Sequence, residues 1–155
     1  PYGRFFARQS KPQVWIAAGI GVTPYISLAE SLSQDGPDVA MIYAVKSADT
    51  AAHLPQLQKV ADANPRFKLH LWESKTAGRL QVSNIPNLVD TDLAKAHIMF
   101  CGPSAMRKAL GEGLKAQGVS AKNFHYEEFQ IRTGLGLRRL AIWLWERHSQ
   151  KAEKV

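Results

Sequence analysis

Short apolar runs alternate with helix-length segments along most of this 155-residue chain, and the alternation restricts the fold more than any other feature. It is typical of βαβ units, which build a parallel sheet with helices on both faces. Five strands are predicted, at residues 14–18, 39–45, 67–72, 97–101 and 124–129. Helices are predicted at residues 24–33, 50–63 and 104–117, each introduced by a capping residue. We therefore expect an α/β fold, a three-layer open parallel sheet of about five strands.

The composition narrows the class of protein. A single cysteine excludes an internal disulfide framework, and no apolar run approaches the roughly 20 residues that span a bilayer. Twenty Lys and Arg against 13 Asp and Glu give a net charge of +7, which favours anionic partners. The five histidines occur at no ligand spacing, so no metal site is predicted. The connection at residues 73–96, interrupted by Pro86, is expected to be a loop with one or two short helical turns.

The first predicted strand leads into a glycine-rich loop, AGIGVTPYIS. Gly19 and Gly21 lie where the chain must turn sharply and let its backbone approach a ligand. Thr23 is predicted to cap the following helix and Pro24 to begin it, which directs free backbone N–H groups towards a bound phosphate. We expect the loop to bind a pyrophosphate, and Gly21→Val to weaken binding while the fold persists. An ordinary strand-to-helix turn is the alternative.

Polar or glycine-rich residues follow four of the predicted strands. The first strand ends in the glycine loop, and the others end in Lys46 and Ser47, in CGPS at residues 101–104, and in Glu127, Glu128 and Phe129. The carboxyl ends of parallel strands share one edge of a sheet, and ligands bind in the crevice beyond them. We therefore expect a nucleotide site at this edge.

The residue that ends the second strand predicts which nucleotide is preferred. A protein that recognises an unphosphorylated ribose usually carries Asp or Glu there, and an acid would repel a 2′-phosphate. The position holds Lys46, followed by Ser47, which favours NADPH over NADH. A solvated loop lysine is the alternative for Lys46. Asp49 is interpreted as the N-cap of the next helix rather than as a ribose ligand.

Cys101 lies between a predicted strand and the helix that Pro103 and Ser104 open, with Gly102 clearing space beside it. Proximity to a helix N-terminus tends to lower the pKa of a thiol. The sequence is equally compatible with a buried structural cysteine and with a cysteine in the binding site.

Three segments, AGIGVTPYISL, FCGPSAMRKAL and HYEEF, closely resemble in order and spacing the NAD(P)-binding half of the ferredoxin–NADP reductase superfamily. The resemblance extends to about Phe129, and the opening PYGRFF, which lacks an initiator Met, is similar to the end of that family's flavin domain. It implies an enzyme in which NADPH passes hydride to FAD, which releases electrons singly to an acceptor.

The resemblance implies roles for residues on the phosphate side of the site. Four residues of the glycine loop would surround the pyrophosphate: Gly19, Gly21, Thr23 and Pro24. Lys46 and Ser47 would match the region that binds the adenosine phosphate. Arg79, in a GRL segment that is frequent in the family, would face the nucleotide, with a surface arginine as the alternative.

On the nicotinamide side, the resemblance places Cys101 and Gly102 by the nicotinamide ring, with Pro103 in the same cofactor-binding motif. Glu127 and Phe129 would approach the flavin. Cys101 and Glu127 are accordingly the predicted catalytic residues.

Within the superfamily, the sequence is most similar to the ferric reductase and NADPH oxidase branch, whose members place a haem-bearing transmembrane domain before the flavin domain. This implies an upstream FAD domain that binds most of the FAD, and a location on the cytoplasmic side of a membrane. We expect residues 1–10 to end the flavin domain, residues 11–131 to form the NAD(P)-binding domain and residues 132–155 to form a basic amphipathic tail. Chloroplast-type reductases differ, because they end with an aromatic residue close to the fifth strand.

The predicted tail carries six Lys and Arg against two Glu, and its apolar residues recur at helical spacing. With Trp143 and Trp145 near the edge of the apolar face, this composition is typical of an interfacial helix that contacts anionic lipid. The alternative is that the same face packs on this domain or on the flavin domain.

Two other functional classes are alternatives to this interpretation. A non-catalytic NADPH-sensing or interaction module would share the loop but would have no flavin to reduce. A nucleic-acid binder is disfavoured, because the basic residues cluster in the tail without interleaved aromatic residues or a recognisable motif. The terminal electron acceptor is chosen by domains outside this sequence.

Overall fold

The structure is a computed structural model that describes residues 11–128 of the chain. Its five strands, β1 to β5, span Gln13–Ala18, Val39–Val45, Phe67–Glu73, His97–Gly102 and Phe124–Glu128. Its helices, α1 to α4, span Thr23–Glu30, Leu54–Ala63, Ser74–Ala77 and Ser104–Ala116. Short 3₁₀ helices lie at Gly19–Val22, Ala48–Thr50, Val82–Asn87 and Ala121–Asn123. The five predicted strands are confirmed, each within one residue at either end.

All four strand pairings are parallel, and the strands lie side by side in the order β3-β2-β1-β4-β5. The chain builds outward from β1 to β2 and β3, and then crosses back to place β4 on the other side of β1. The direction of winding therefore reverses between β1 and β4, which is where open α/β sheets form a ligand crevice.

Buried side chains cover both faces of the sheet, because alternate residues of each strand point to opposite faces. On one face, Trp15 and Ala17 pack with residues of α1 and α2, including Tyr25 and Leu57. On the other face, Val14, Ile16 and Phe100 pack with α4 and with the connection between β3 and β4, through Val82, Ile85, Leu110 and Leu114. The predicted three-layer arrangement is confirmed.

The second helix begins later than expected. Residues 50–63 were predicted as one helix capped by Asp49, but Asp49 lies within the 3₁₀ helix Ala48–Thr50, and α2 begins at Leu54 after the N-cap His53. Both predictions are wrong, because Thr50 hydrogen bonds to Ser47 and closes a separate turn: its Oγ1 donates to the Ser47 carbonyl at 2.6 Å.

The connection between β3 and β4 contains α3 and the 3₁₀ helix Val82–Asn87, as expected for a loop with one or two short helical turns. Pro86 lies inside that 3₁₀ helix rather than interrupting it. Among the helices in residues 11–128, none combines the length and the apolar character needed to cross a bilayer. The predicted boundaries at residues 1–10 and 132–155 lie outside the described residues, so the division into three segments stays a prediction.

Candidate functional site

The carboxyl ends of all five strands meet at one edge of the sheet, because every strand runs in the same direction. The segments that leave this edge are the glycine loop after β1, Lys46 and Ser47 after β2, α3 after β3, and Pro103 after β4. Glu127 lies at the end of β5, and the predicted site residue Phe129 lies outside the described residues. The structure thus brings the predicted residues other than Phe129 to a single edge.

The glycine loop after β1 is a 3₁₀ helix, Gly19–Val22, that continues into α1. Gly19 has a φ of +54°, a left-handed conformation that favours glycine, and a Cβ built there meets no atom within 4 Å. The loop therefore turns in a conformation suited to glycine and exposes backbone to open space. This is the arrangement that close approach of a phosphate requires.

Gly21 has a different reason to be glycine. A Cβ at this position would lie 2.6 Å from the carbonyl carbon of Cys101, closer than real Cβ atoms come to backbone. The expectation that Gly21→Val leaves the fold intact is wrong, because the added side chain would collide with β4 itself. The loop is packed against the end of β4 at the point where the winding of the sheet reverses.

Thr23 and Pro24 begin α1, but not in the predicted arrangement. The N-cap is Val22, and Thr23 is the first helical residue; its Oγ1 donates to the Ile20 carbonyl at 2.8 Å. The predicted N-cap role of Thr23 is therefore wrong, because the preceding 3₁₀ turn already supplies the residue that enters the helix. Pro24 lies in the first turn, where its missing N–H costs no hydrogen bond.

Ile20, between the two glycines, is the most exposed of the large apolar side chains in the described residues, with 62% of its surface accessible. The loop therefore presents one apolar side chain beside backbone, at the edge where the ligand crevice lies.

Cys101 lies at the end of β4 and is completely buried in the apolar cluster beneath α1. Burial, and then the nearby Glu127 carboxylate, raise the pKa of the thiol from about 9 to about 11. The tendency towards a lower pKa, expected from the N-terminus of α4, is therefore wrong for this cysteine. A thiol in this environment stays protonated at neutral pH.

Gly102 and Pro103 continue from Cys101. A Cβ on Gly102 would lie 2.7 Å from the Cβ of Ala18, so the ends of β1 and β4 approach each other closely here as well. Pro103 is exposed and, with φ −61° and ψ 142°, is the N-cap of α4. The CGP segment thus lies directly against the glycine loop at the ligand edge.

Tyr25 is a residue of this region that the sequence did not single out. It is fully buried, stacks on Trp15 with ring centroids 5.5 Å apart, and its hydroxyl lies 3.4 Å from the Ile16 carbonyl oxygen that accepts its hydrogen bond. Burial first, then Cys101 and Glu127, raise the pKa of its phenol.

Glu127 pairs with Cys101 across β4 and β5 in the strand register, which brings its carboxylate near the crevice. Its position agrees with the expectation that it lies at the ligand edge. Its catalytic role stays a prediction.

The other end of the edge, beyond β2 and β3, is polar. Lys46 is exposed and Ser47 is half-buried. The Lys75 N–H donates to the Lys46 carbonyl at 2.9 Å, and the Glu73 carboxylate accepts a hydrogen bond from the Ala48 N–H at 2.6 Å. Two hydrogen bonds therefore fasten the turn after β2 to the end of β3.

Glu73 is a further residue of this region that the sequence did not single out. Its place beside the end of β2 depends on the pairing of β2 with β3, which no local sequence pattern gives. Arg79 lies in the same neighbourhood: the Trp72 Nε1–H donates to the Gly78 carbonyl at 2.9 Å, which holds the chain just before Arg79 against the end of β3. Arg79 itself is exposed.

Comparison with known proteins agrees with this geometry. The family model described as "Oxidoreductase NAD-binding domain" matches residues 15–112. The flavohemoprotein of Chromobacterium violaceum is 28% identical over an alignment of 149 residues, and the match covers 86% of this chain and 36% of that protein. The chain thus spans little more than a third of that relative's length.

Solved structures share the fold. A flavohemoglobin from Malassezia yamatoensis with bound FAD and haem matches with a TM-score of 0.67 and 25% identity, over 80% of this chain and 33% of that one. A ferredoxin–NADP⁺ reductase from Neisseria gonorrhoeae with bound FAD and NADP matches with a TM-score of 0.67 over 79% of this chain and 57% of that one. At 17% identity, the second match shows the fold alone.

Proposed function

The chain belongs to the oxidoreductase NAD-binding domain family, and from that premise we propose that it is the NAD(P)H-binding module of a flavin-dependent electron-transfer oxidoreductase. In the proposed reaction, hydride passes from NADPH to FAD, and electrons then leave singly for an acceptor. One observation carries the proposal: the glycine loop packs against the CGP segment between β1 and β4, where the direction of strand order reverses. Ligands of open α/β sheets bind at this position.

The residues present fit a dinucleotide. Gly19 exposes backbone with no atom near its Cβ position, and α1 begins directly after the loop. The Thr23 N–H donates to the Ile20 carbonyl and Pro24 has no N–H, so the start of α1 supports an anion through the positive end of the helix dipole rather than through these two residues. Gly21 supports the pyrophosphate indirectly, because it allows the loop to lie against β4. These features support a pyrophosphate over the end of β1.

On either side of the pyrophosphate, the edge offers two different environments. Lys46, Ser47 and Arg79 lie towards β2 and β3, and we assign the adenosine end to them. Gly102, Pro103 and Glu127 lie towards β4 and β5, and we assign the nicotinamide end and the approach of the flavin to them, together with Phe129.

The burial of Cys101 limits what it does in this reaction. A protonated thiol whose pKa is raised to about 11 is a poor nucleophile and a poor proton donor at neutral pH. We propose that Cys101 shapes the floor of the crevice, and that the positioning of nicotinamide and flavin falls to the backbone of Gly102 and to Glu127.

Flavin chemistry needs a partner domain in this proposal. Bound FAD supplies the acceptor for hydride, and we place most of its contacts in a flavin domain upstream of this module. The flavohemoglobin that shares this fold has bound FAD and haem in its solved structure. A module that senses NADPH without turnover is the competing proposal, and it differs in having no flavin within reach of the nicotinamide.

The more specific assignment to the ferric reductase branch, with a haem-bearing transmembrane domain and a tail on anionic lipid, stays a prediction. It depends on residues 132–155, which lie outside the described part of the chain. Co-sedimentation with anionic liposomes, comparing the full chain with a version that ends at Thr133, tests it. Equal sedimentation of the two would leave the tail a packing role only.

Binding of nucleotide to the purified chain tests the central proposal. We expect calorimetric titration to show one site for NADH or NADPH, while the colourless chain alone does not oxidise either nucleotide. Thermal stabilisation by the same nucleotides is an independent check, since a ligand that binds the native state raises the melting temperature. Absence of binding would overturn the proposal, and a yellow preparation that turns over NADPH would overturn the assignment of FAD to another domain.

An assay of hydride transfer distinguishes the proposed enzyme module from the competing NADPH-sensing module. Joined to its flavin domain, the chain should bleach FAD absorbance within one turnover when NADPH is added anaerobically. A complex that binds NADPH and leaves FAD oxidised would favour the sensing module.

A further inference from the structure

An acidic side chain lies beside Lys46, although it belongs to a different strand. Glu73 ends β3, in register with Val45, the residue before Lys46. Its Oε2 accepts the hydrogen bond from Ala48 at 2.6 Å, in the turn that directly follows Lys46 and Ser47. The carboxylate is therefore fixed against the end of β2, 27 residues further along the chain than Lys46.

No ion pair within the described residues neutralises the charge on this carboxylate. Within residues 11–128, the ion pairs join Arg66 to Asp38, Lys68 to Asp90 and Lys95 to Asp92, and none includes Glu73. In the same part of the chain, its carboxylate has one hydrogen bond, through Oε2. Oε1 therefore has acceptor capacity for a ligand.

The place of Glu73 beside the end of β2 is relevant to nucleotide binding, because the adenosine ribose lies at that strand in dinucleotide-binding folds. With the pyrophosphate over the end of β1, the adenosine half extends over β2, and an acid at the end of that strand usually accepts the ribose 2′-hydroxyl. Here that place is taken by Lys46. The acid is provided instead by the end of the neighbouring strand.

Resting on the proposed function, we propose that Glu73 is a specificity-determining residue that opposes NADPH. Its carboxylate accepts a hydrogen bond from the ribose 2′-hydroxyl of NADH and repels the 2′-phosphate of NADPH, whereas Lys46 attracts that phosphate. The ratio of affinities for the two nucleotides is then set by a balance between two charges carried by adjacent strands.

The variant Glu73→Gln tests the proposal with little structural change. The amide oxygen of glutamine keeps an acceptor for the Ala48 N–H, while the negative charge is lost. Glu112→Gln is the matched control, because it makes the same chemical change at an exposed position of α4. Melting temperatures of the three proteins show whether the fold is retained.

Calorimetric titrations with NADP⁺ and NAD⁺ provide the measurement. We expect Glu73→Gln to shift the ratio of the two affinities about fivefold towards NADP⁺, the order expected of a partly exposed charge pair. Glu112→Gln should leave the ratio unchanged. The shift should shrink in 1 M salt, because screening acts on charge and not on shape.

Two smaller probes localise the effect. Adenosine 5′-monophosphate and adenosine 2′,5′-bisphosphate carry the adenosine end without the nicotinamide, so Glu73→Gln should strengthen binding of the bisphosphate alone. Equal changes for both probes would assign Glu73 a structural role and overturn the proposal. If the wild-type chain bound neither NADP⁺ nor NAD⁺, the proposed function would fail and the role of Glu73 with it. Binding of both nucleotides, with a ratio that Glu73→Gln does not move, would overturn the role of Glu73 alone.

Discussion

The two halves of the ligand edge are built on different principles. We define the switch point as the loop Gly19–Val22 together with residues 101–103. There the backbone of the loop packs against the backbone of β4, and the thiol of Cys101 is buried. At the β2–β3 end, which we define as residues 46–48 and 73–75, two hydrogen bonds join turns that carry exposed or half-exposed charges. Sterics determine the residues of the first region, and electrostatics those of the second.

This difference separates stability from specificity. A substitution at the switch point changes the packing of two strands, and so it alters folding before it alters binding. A substitution at the β2–β3 end changes a charge that solvent already reaches, and so it alters the choice of ligand while the fold persists.

The largest effect is expected for Gly21→Ala. The added Cβ would lie 2.6 Å from the Cys101 carbonyl carbon, and relief requires that the loop or β4 shift. We expect a loss of stability of at least the ~1–3 kcal/mol typical of overpacking, measured by urea denaturation. Ile20→Ala, in the same loop but 62% exposed, should cost much less. Equal stability of Gly21→Ala and wild type would show that the switch point is not sterically closed.

The contact of Gly21 with β4 could not be predicted from the sequence. The spacing of Gly19 and Gly21 after an apolar strand was enough to place a loop at the ligand edge. It did not reveal that Gly21 faces Cys101, because that contact joins residues 80 positions apart and depends on the strand order. A glycine required by a ligand and one required by a neighbouring strand have the same sequence signature.

The strands were predictable for a simple reason, and the turns were not. A strand covered on both faces is a continuous apolar run, such as VAMIYAV in β2, and its limits show directly in composition. The start of α2 depends on whether Asp49 and Thr50 cap a long helix or close a short turn. Both use the same polar residue types, so only the hydrogen bond from Thr50 to Ser47 decides between them.

The place of Glu73 at the ligand edge could not be predicted from the sequence either. Its hydrogen bond to Ala48 spans 25 residues and requires that β2 and β3 be neighbours in register. Lys46 could be singled out from its place at the end of a strand. The acid that faces the same region needed the sheet pairing, which no local pattern encodes.

The second prediction concerns the buried thiol of the switch point. Its pKa is about 11 in the folded protein and near 9 without burial, so between these values the unfolded chain loses the proton first. The unfolded state then binds fewer protons than the folded state, and stability falls as pH rises. We expect wild type to lose about 2 kcal/mol more than Cys101→Ala between pH 9 and pH 11.

The comparison with Cys101→Ala removes most of the contribution of other alkaline groups. Tyr25, whose pKa is raised first by burial, is present in both proteins and lowers the stability of both at high pH; only its smaller interaction with Cys101 differs between them. Urea denaturation at half-unit steps of pH provides the free energies. If the free energies of unfolding of the two proteins fell in parallel with pH, the thiol at the switch point would not be buried in the folded protein.

The smallest effect is expected for Lys46→Gln, at the β2–β3 end. Lys46 is exposed, so its attraction for a 2′-phosphate is weakened by solvent and approaches the value of a surface charge pair, about 1 kcal/mol. We expect affinity for NADPH to fall about fivefold and affinity for NADH to change less than twofold, with no change in urea stability. Lys122→Gln is the control, because it removes the same charge at a distant position, just before β5.

The change that Lys46→Gln makes in the ratio of NADPH to NADH affinity should be opposite in sign to that of Glu73→Gln. The double variant should return close to the wild-type ratio, since both charges act on one phosphate. Equal losses for NADPH and NADH, or a loss of stability, would show that Lys46 supports the turn after β2 rather than the ligand, and the division between the two regions would not hold there.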